Sequence, residues 1–239
     1  MGYQGSLSYD HALAKWLPVP FQWVSPDGSR YAYPSTNSIY VQDVADSAHV
    51  QLGAGHTWNI VAVLAEGVYA SDPNAAGLWL LPYSGSPHQI TSNGYWRTAA
   101  AGAAYGTPTS AVPQGASSAI IRLDLNTGAI SDWFGRSNSQ AYPVGFDGHG
   151  HPVIQVNYNG DGSELWLTTA PSTGTPIGGA GGSYYQSPNL YGTPLGDSHG
   201  IWIPGSVPGN NGAGIALFVP GSGVYWMANI GGQLAGPCV

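Results

Sequence analysis

Four short strands and a tight turn can be read, in chain order, from Phe21-Gln-Trp-Val-Ser-Pro-Asp-Gly-Ser-Arg-Tyr-Ala-Tyr33, Ser38-Ile-Tyr-Val-Gln-Asp-Val44 and His49-Val-Gln-Leu52. The alternation of Ile39 and Val41 with Tyr40 has the period of two that predicts a strand whose faces differ. The sequence Pro26-Asp-Gly28 is typical of a tight hairpin turn. The stretch therefore predicts a meander of consecutive antiparallel strands.

The same order of strands and Gly-containing turns recurs along the 239-residue chain. Further units begin at Trp58, Tyr95, Tyr142 and Asn189, and the last of them is expected to turn at Gly196-Asp197. Repeats of about 40–50 residues built only of strands are the sequence signature of a β-propeller. We therefore predict an all-β fold, a five-bladed β-propeller with about four antiparallel strands per blade.

The chain is expected to form one propeller domain over residues 20–239, preceded by an N-terminal extension or closing segment at 1–19. Within that extension, Asp10–Trp16 has the apolar spacing of a helix, which Pro18 would end. Gly (36 residues) and Pro (19 residues) are scattered between the strand segments. Scattered Gly and Pro indicate turns between strands, whereas a single tract would indicate disorder.

The charge of the chain excludes several classes of partner. Charged residues make up 7% of the chain and the formal net charge is −7, so nucleic acid and anionic membrane surfaces are not expected partners. No stretch is apolar enough to span a bilayer. Because Met1-Gly-Tyr-Gln4 lacks signal-peptide features, the protein is either intracellular or an excised domain of a secreted bacterial protein. The low Lys content favours the second alternative, with an extracellular or cell-surface location. Cys238 is the single cysteine, so it is a tail thiol, a partner for a cysteine in an upstream segment, or one half of an intermolecular bridge.

The segment Trp23–Tyr33, followed by Ser38–Val44, resembles the WSPDG-type repeat of TolB-like β-propellers of bacterial periplasmic and secreted proteins. The other four units keep the strands and a Gly turn but lack Ser-Pro-Asp. The resemblance implies a propeller, and it implies that Asp27 is a structural turn residue rather than a catalytic one. The family includes protein-binding scaffolds and peptidase-gating domains.

Long loops are expected on one face of the propeller, and function usually lies on long loops held by a rigid scaffold. The strands that begin each unit should bring aromatic side chains to the same face. Flat aromatic rings beside amide and hydroxyl groups suit sugars, although aromatics at strand starts also pack between blades. The candidate ligand-binding residues are Trp23, His56, Trp58, Tyr95, Trp96, Arg97, Tyr142 and Tyr191.

Two segments are candidates for metal binding. The first resembles a calcium loop, because oxygen-bearing side chains alternate at Asn157, Asn159, Asp161 and Glu164. It has only two acids and none at the twelfth position. The second is Asp147-Gly-His-Gly-His-Pro152, where two histidines would bind a transition metal if a third ligand were present, and would otherwise form a plain turn.

Three functions remain open. The favoured one is a non-enzymatic extracellular binding module that recognises glycan or protein on the long-loop face. A structural or assembly protein of the cell surface, with self-association, is the second. An extracellular glycosidase or lyase at the channel mouth is the third, but the acids fall mostly in turns and no facing carboxylate pair can be recognised.

Overall fold

The computed structural model describes residues 8–10, 14–110, 117–158, 162–177, 190, 192–206, 213–229 and 234–236. Within these ranges the regular structure is all β, apart from a 3-10 turn at Phe21–Trp23. No helix long and apolar enough to cross a membrane occurs in this part of the chain.

The strands are, in chain order, β1 (Ser8–Asp10), β2 (Lys15–Leu17), β3 (Arg30–Ser35), β4 (Ser38–Asp43), β5 (His49–Leu52), β6 (Asn59–Leu64), β7 (Gly67–Ser71), β8 (Leu78–Pro82), β9 (His88–Thr91), β10 (Tyr95–Ala100), β11 (Ala103–Thr107), β12 (Ala119–Asp124), β13 (Ile130–Gly135), β14 (Ser139–Phe146), β15 (Pro152–Tyr158), β16 (Gly162–Ala170), β17 (Thr173–Pro176), β18 (Leu195–Asp197), β19 (Gly200–Ser206), β20 (Ala213–Val219) and β21 (Gly223–Ala228).

Strands that are adjacent in a sheet are almost always consecutive in the sequence. The strands form the sheets β1-β2, β3-β4-β5, β6-β7-β8-β9, β10-β11-β12-β13 and β17-β16-β15-β14-β18-β19-β20-β21. The eight-stranded sheet consists of two antiparallel meanders, β14–β17 and β18–β21. A single parallel pair, Phe146 with Leu195, joins them.

Contacts divide the chain into two compact units. Unit 1 comprises Met1–Ala104, Pro108–Gly115 and Leu123–Ala129, and unit 2 comprises Tyr105–Thr107, Ala116–Arg122 and Ile130–Val239. In unit 1, apolar residues of β4 and β5 pack against Trp58 and the inward residues of β6 and β7. In unit 2, those of β15 and β16 pack against those of β19 and β20. Each core is therefore built from the inward residues of consecutive meanders.

At the described ends of the expected helix Asp10–Trp16 the chain forms two antiparallel strands, and residues 11–13 lie outside the described residues. Asp10 ends β1, and Lys15 and Trp16 lie in β2, which pairs with β1. Leu17 and Val19 are buried in a cluster with side chains of the first meander. The Lys15 ammonium donates a hydrogen bond to the carbonyl of Val44 at 2.7 Å. The described part of residues 1–19 thus packs on the first meander.

Two predicted elements differ in the structure. Phe21–Trp23, expected to start a strand, forms the 3-10 turn, in which Trp23 N donates to the carbonyl of Pro20. Only Val24 after it pairs with the next strand, opposite Tyr31. Gly196 and Asp197, expected to be a turn, end strand β18, and the turn follows at Ser198 and His199. The Tyr191 part of the predicted fifth start lies outside the described residues.

Candidate ligand-binding site

Five neutral polar side chains meet on one face of the β14–β15–β16 sheet. The register pairs Gln140 with Asn157 and Tyr142 with Gln155, and it pairs Asn157 with Ser163. Because side chains alternate between faces along a strand, these five leave the same face. We call Gln140, Tyr142, Gln155, Asn157 and Ser163 the amide cluster.

The amide cluster is half-buried and carries no charge. Tyr142 donates its hydroxyl to Gln140 Oε1 at 2.8 Å, and the Gln155 amide donates to Asn157 Oδ1 at 3.1 Å. In these bonds Gln140 and Asn157 take part through their carbonyl oxygens. Leu165, opposite Gln155, is buried in the core of unit 2. The cluster is thus a polar rim at one end of an apolar core, with amide and hydroxyl groups beside one aromatic ring.

The opposite face at the same end of this sheet is charged and aromatic. Tyr158 OH and Trp166 Nε1 each donate to Glu164 Oε2 at 2.9 Å. The Arg136 guanidinium stacks over the Trp166 ring, 4.1 Å from its centroid. We call these four residues the Glu164 cluster. They hold one another through bonds and stacking, so this face is ordered by its own side chains.

Two of the predicted ligand-binding residues lie in the core. Trp58 is 5% exposed and Trp96 is 3% exposed. Their indole N–H groups donate to the carbonyls of Gly53 and Asn93, each at 2.8 Å. Trp58 also packs edge-on against Trp79 at 5.8 Å. These indoles are satisfied internally, so the structure places them in the packing of unit 1 and not on its surface.

The other predicted residues are spread along the chain. In unit 1, Trp23 and Tyr95 are half-buried, whereas His56 and Arg97 are exposed. His56 lies over the buried Trp58, with ring centroids 5.5 Å apart. Tyr142 belongs to unit 2 and is the one predicted ligand-binding residue in the amide cluster; Tyr191 is outside the described residues.

The predicted calcium loop is only partly described, because Asn159 and Asp161 lie outside the described residues. Asn157 is paired with Ser163, and Glu164 is paired with Val156. Strand alternation therefore directs the Asn157 and Glu164 side chains to opposite faces of the sheet. Glu164 already accepts two hydrogen bonds in its cluster. The calcium site stays a prediction.

Most described aspartates organise turns. In seven turns an aspartate Oδ1 accepts a hydrogen bond from the backbone N–H two residues later, at Asp27, Asp43, Asp46, Asp72, Asp124, Asp147 and Asp197. This geometry is that of the Asx turn, in which the carboxylate replaces a backbone acceptor. These acids therefore support hairpins, in agreement with the structural role expected for Asp27.

A separate groove of about 220 Å³ lies in unit 1, beside β4 and β5. Its lining includes Arg30, Asp43, His49 and Tyr83, and the Arg30 guanidinium sits 4.4 Å from the centre of the Tyr83 ring. Burial raises the pKa of Tyr83, and the nearby Arg30 acts in the opposite direction. The groove contains charged groups and none of the predicted ligand-binding residues, so it differs in chemistry from the amide cluster.

No family model matches the chain, and no curated protein matches it. A solved structure from a study of two prolyl endopeptidases is similar over 92% of this chain, with 12% identity and a TM-score of 0.59. The chain spans 38% of that protein's length. The N-terminal domain of Nup159 is similar over 88% of this chain and 62% of its own, with 12% identity and a TM-score of 0.46. The likeness to the prolyl endopeptidase shows the fold alone: the chain is an all-β protein with a β-propeller fold.

Proposed function

We propose that the chain is a five-bladed, TolB-like propeller that acts as a non-enzymatic extracellular binding module for glycans. The blade count is supported by the meanders β6–β9, β10–β13, β14–β17 and β18–β21, together with β3–β5 extended by the bridge between Val24 and Tyr31. The TolB-like assignment rests on the Ser25-Pro-Asp-Gly28 turn, where Ser25 Oγ donates to Asp27 Oδ1 at 2.6 Å. The low charge of the chain supports the extracellular location.

The amide cluster is the observation that carries the glycan proposal. A pyranose has an apolar C–H face for an aromatic ring and a rim of hydroxyls for donors and acceptors. Tyr142 supplies a ring, while Gln140, Gln155 and Asn157 supply neutral groups at fixed spacing on one face of a sheet. Binding through such groups needs no net charge on the ligand, which suits a neutral sugar.

A glycan array probed with the purified chain tests this proposal. The variants Tyr142→Ala and Gln155→Ala should lose binding, because one removes the ring and the other removes an amide. Gln51→Ala is the matched control, since Gln51 is an exposed strand amide in unit 1. Loss of binding in all three variants, or in none, would place the sugar elsewhere. Absence of binding by the parent chain would reject the glycan and favour a protein ligand.

Self-association is the second candidate function, favoured by strand β21. Tyr225, Trp226 and Met227 are consecutive and 49%, 37% and 52% exposed. Consecutive exposed apolar residues on an edge strand favour pairing with another chain. Met227→Lys should then lower the mass measured by light scattering at high concentration, whereas Val50→Lys, on the exposed edge strand β5, should not. A monomeric parent chain at all concentrations would exclude this function.

A further inference from the structure

We propose that Asp147, His149 and His151 form a binding site for a divalent first-row transition metal ion such as Zn²⁺. The three residues lie in the tight turn between β14 and β15. Each offers one ligand atom, and these atoms lie within 4.8 Å of one another. Imidazole nitrogens with one carboxylate oxygen are a donor set that suits zinc, copper and nickel rather than calcium.

The turn itself arranges the ligands. Asp147 Oδ1 accepts the backbone N–H groups of His149 and His151, at 2.9 and 2.8 Å. The backbone closes the loop through the bond from Asp147 N to the carbonyl of His151, and Gly150 adopts a φ of +82°. Because Oδ1 is engaged by the backbone, Oδ2 of the same carboxylate is presented to the two imidazole rings. The fold therefore holds the third ligand that the two histidines need.

The distances from the carboxylate to the two imidazoles bracket the ligand spacing of a tetrahedral zinc ion. Asp147 Oδ2 is hydrogen-bonded to His151 Nδ1 at 2.9 Å, a contact that a bound ion would replace by ligation of both atoms, and it lies 3.7 Å from His149 Nδ1. Ligands at about 2.0–2.1 Å from a tetrahedral zinc lie about 3.4 Å apart, between these two distances. The His149 side chain is 85% exposed, so its ring can turn toward the ion without disturbing the core. Three protein ligands leave one position open to water or to an exogenous ligand.

The next hairpin provides an internal comparison. Asp197 uses Oδ1 for the backbone N–H of His199, as Asp147 does for His149. Its Oδ2, however, accepts the Trp202 indole N–H at 2.7 Å, and an indole cannot bind a metal, whereas the group that contacts Asp147 Oδ2 is the His151 imidazole. His199 Nδ1 lies 3.4 Å from Asp197 Oδ1, and no second histidine of the described residues joins this pair in a three-ligand group. The two turns share the hydrogen bond from a backbone N–H to the Oδ1 of the aspartate two residues earlier, but they differ in length and in their capacity for a metal.

Calorimetric titration of the tag-free chain with Zn²⁺ tests the site. We expect saturable binding of one ion. His149→Ala should weaken the Zn²⁺ affinity by more than about tenfold, because removing a residue that only hydrogen-bonds to a metal ligand already weakens metal affinity by about tenfold or more. His149 is exposed, so the variant should fold, and an unchanged circular dichroism spectrum checks this. His199→Ala is the matched control and should keep the parent affinity.

His151→Ala provides a second test, with the same expected loss of Zn²⁺ affinity. No saturable binding by the parent chain would overturn the proposal. Parent-like affinity in His149→Ala, or an equal loss in His199→Ala, would overturn it as well. Since the site shares no residue with the amide cluster, a Zn²⁺ result leaves the glycan proposal to its own test.

Discussion

The buried indole of Trp133 donates its N–H to Thr168 Oγ1 at 2.9 Å, and that hydroxyl donates in turn to the carbonyl of Pro152 at 3.2 Å. Trp133 is 8% exposed and Thr168 is fully buried. A buried N–H that lacks an acceptor keeps the full cost of its lost hydration. At the residue scale, Thr168 therefore contributes mainly through the indole that it satisfies.

Thr168→Val keeps the shape of the side chain but removes this acceptor. We expect the free energy of unfolding to fall by about 1–3 kcal/mol, because the indole N–H is left unpaired in the core. Urea denaturation followed by tryptophan fluorescence measures the change. Thr173→Val is the control, since Thr173 is exposed, and it should change stability by less than about 0.5 kcal/mol. Equal effects of the two substitutions would contradict the argument.

The Asp27 turn should make stability depend on pH. Hydrogen bonds from Ser25, and then from the backbone and side chain of Ser29, hold the pKa of the Asp27 carboxyl below its ordinary value of 3.8. The charged form is therefore favoured in the folded state. Its stabilising effect is present above pH 3.8 and disappears as the pH falls through the lowered folded-state pKa.

Asp27→Asn should accordingly lower the melting temperature at pH 7. The corresponding loss in the free energy of unfolding should be less than about 1 kcal/mol, because the turn is exposed. The difference from the parent should narrow as the pH falls below 3.8. Thermal unfolding across pH 2.5–7 measures it. In a Ser25→Ala background, which lacks the largest cause of the lowered pKa, the dependence on pH should be weaker. A constant difference at all pH values would assign the effect to shape instead of charge.

At the scale of the elements, the join between β14 and β18 depends on glycine. A Cβ at Gly196 would overlap the backbone of Asp147 and Gly148, and one at Gly145 would overlap the carbonyl of Pro194. These close approaches surround the single parallel pair of Phe146 with Leu195. The backbones can meet here only because neither glycine carries a side chain.

Gly196→Ala should therefore destabilise unit 2 by about 3 kcal/mol, near the upper end for overpacking, since rigid backbone surrounds the site. Gly128→Ala is the comparison: nothing lies within 4 Å of its Cβ, but its φ of +73° costs an alanine about 1–2 kcal/mol. Chemical denaturation of both variants ranks the two costs. A smaller loss for Gly196→Ala would mean that β14 and β18 separate easily.

Strands could be predicted from the sequence wherever apolar and polar residues alternate and the segment ends at residues typical of a turn. The predicted His49–Leu52 coincides with β5, and the predicted Ser38–Val44 extends one residue beyond β4. The prediction of a strand at Phe21 is wrong, because Pro20 caps a 3-10 turn that occupies Phe21–Trp23. Gly196-Asp197 resembles a turn because both residues readily adopt turn conformations. In the structure, the missing side chain of Gly196 instead allows the close approach to the Asp147 backbone.

The site was harder to predict than the strands. Alternation in Gln140-Ala-Tyr142 and Gln155-Val-Asn157 does indicate polar groups on one face, but strand register decides that the two pairs meet. The burial of Trp58 depends on the Gly53 carbonyl, whose position the sequence does not reveal. The role of Asp147 as a third ligand depends likewise on the orientation of one carboxylate in its turn.

For the whole molecule, the scarcity of charge predicts insensitivity to salt. Only 7% of the residues are charged, so screening has few interactions to weaken. The melting temperature at pH 8 should stay within about 2–4 °C between 20 mM and 500 mM NaCl, the shift that about 1 kcal/mol produces in a chain of this size. Differential scanning calorimetry checks this. A larger shift would reveal an ionic network that contributes to stability.

The meander order also has a kinetic consequence. Hairpins of adjacent strands form quickly because the paired residues are close in sequence. The pairing of Phe146 with Leu195 is slower, because the whole β15–β17 segment separates the two residues. We expect the two halves of the eight-stranded sheet to join after the main barrier to folding. Interactions formed after the barrier affect unfolding more than folding. The contact between β14 and β18 at Gly145 and Gly196 should therefore set the unfolding rate, and with it the lifetime of the folded state, while having little influence on the folding rate.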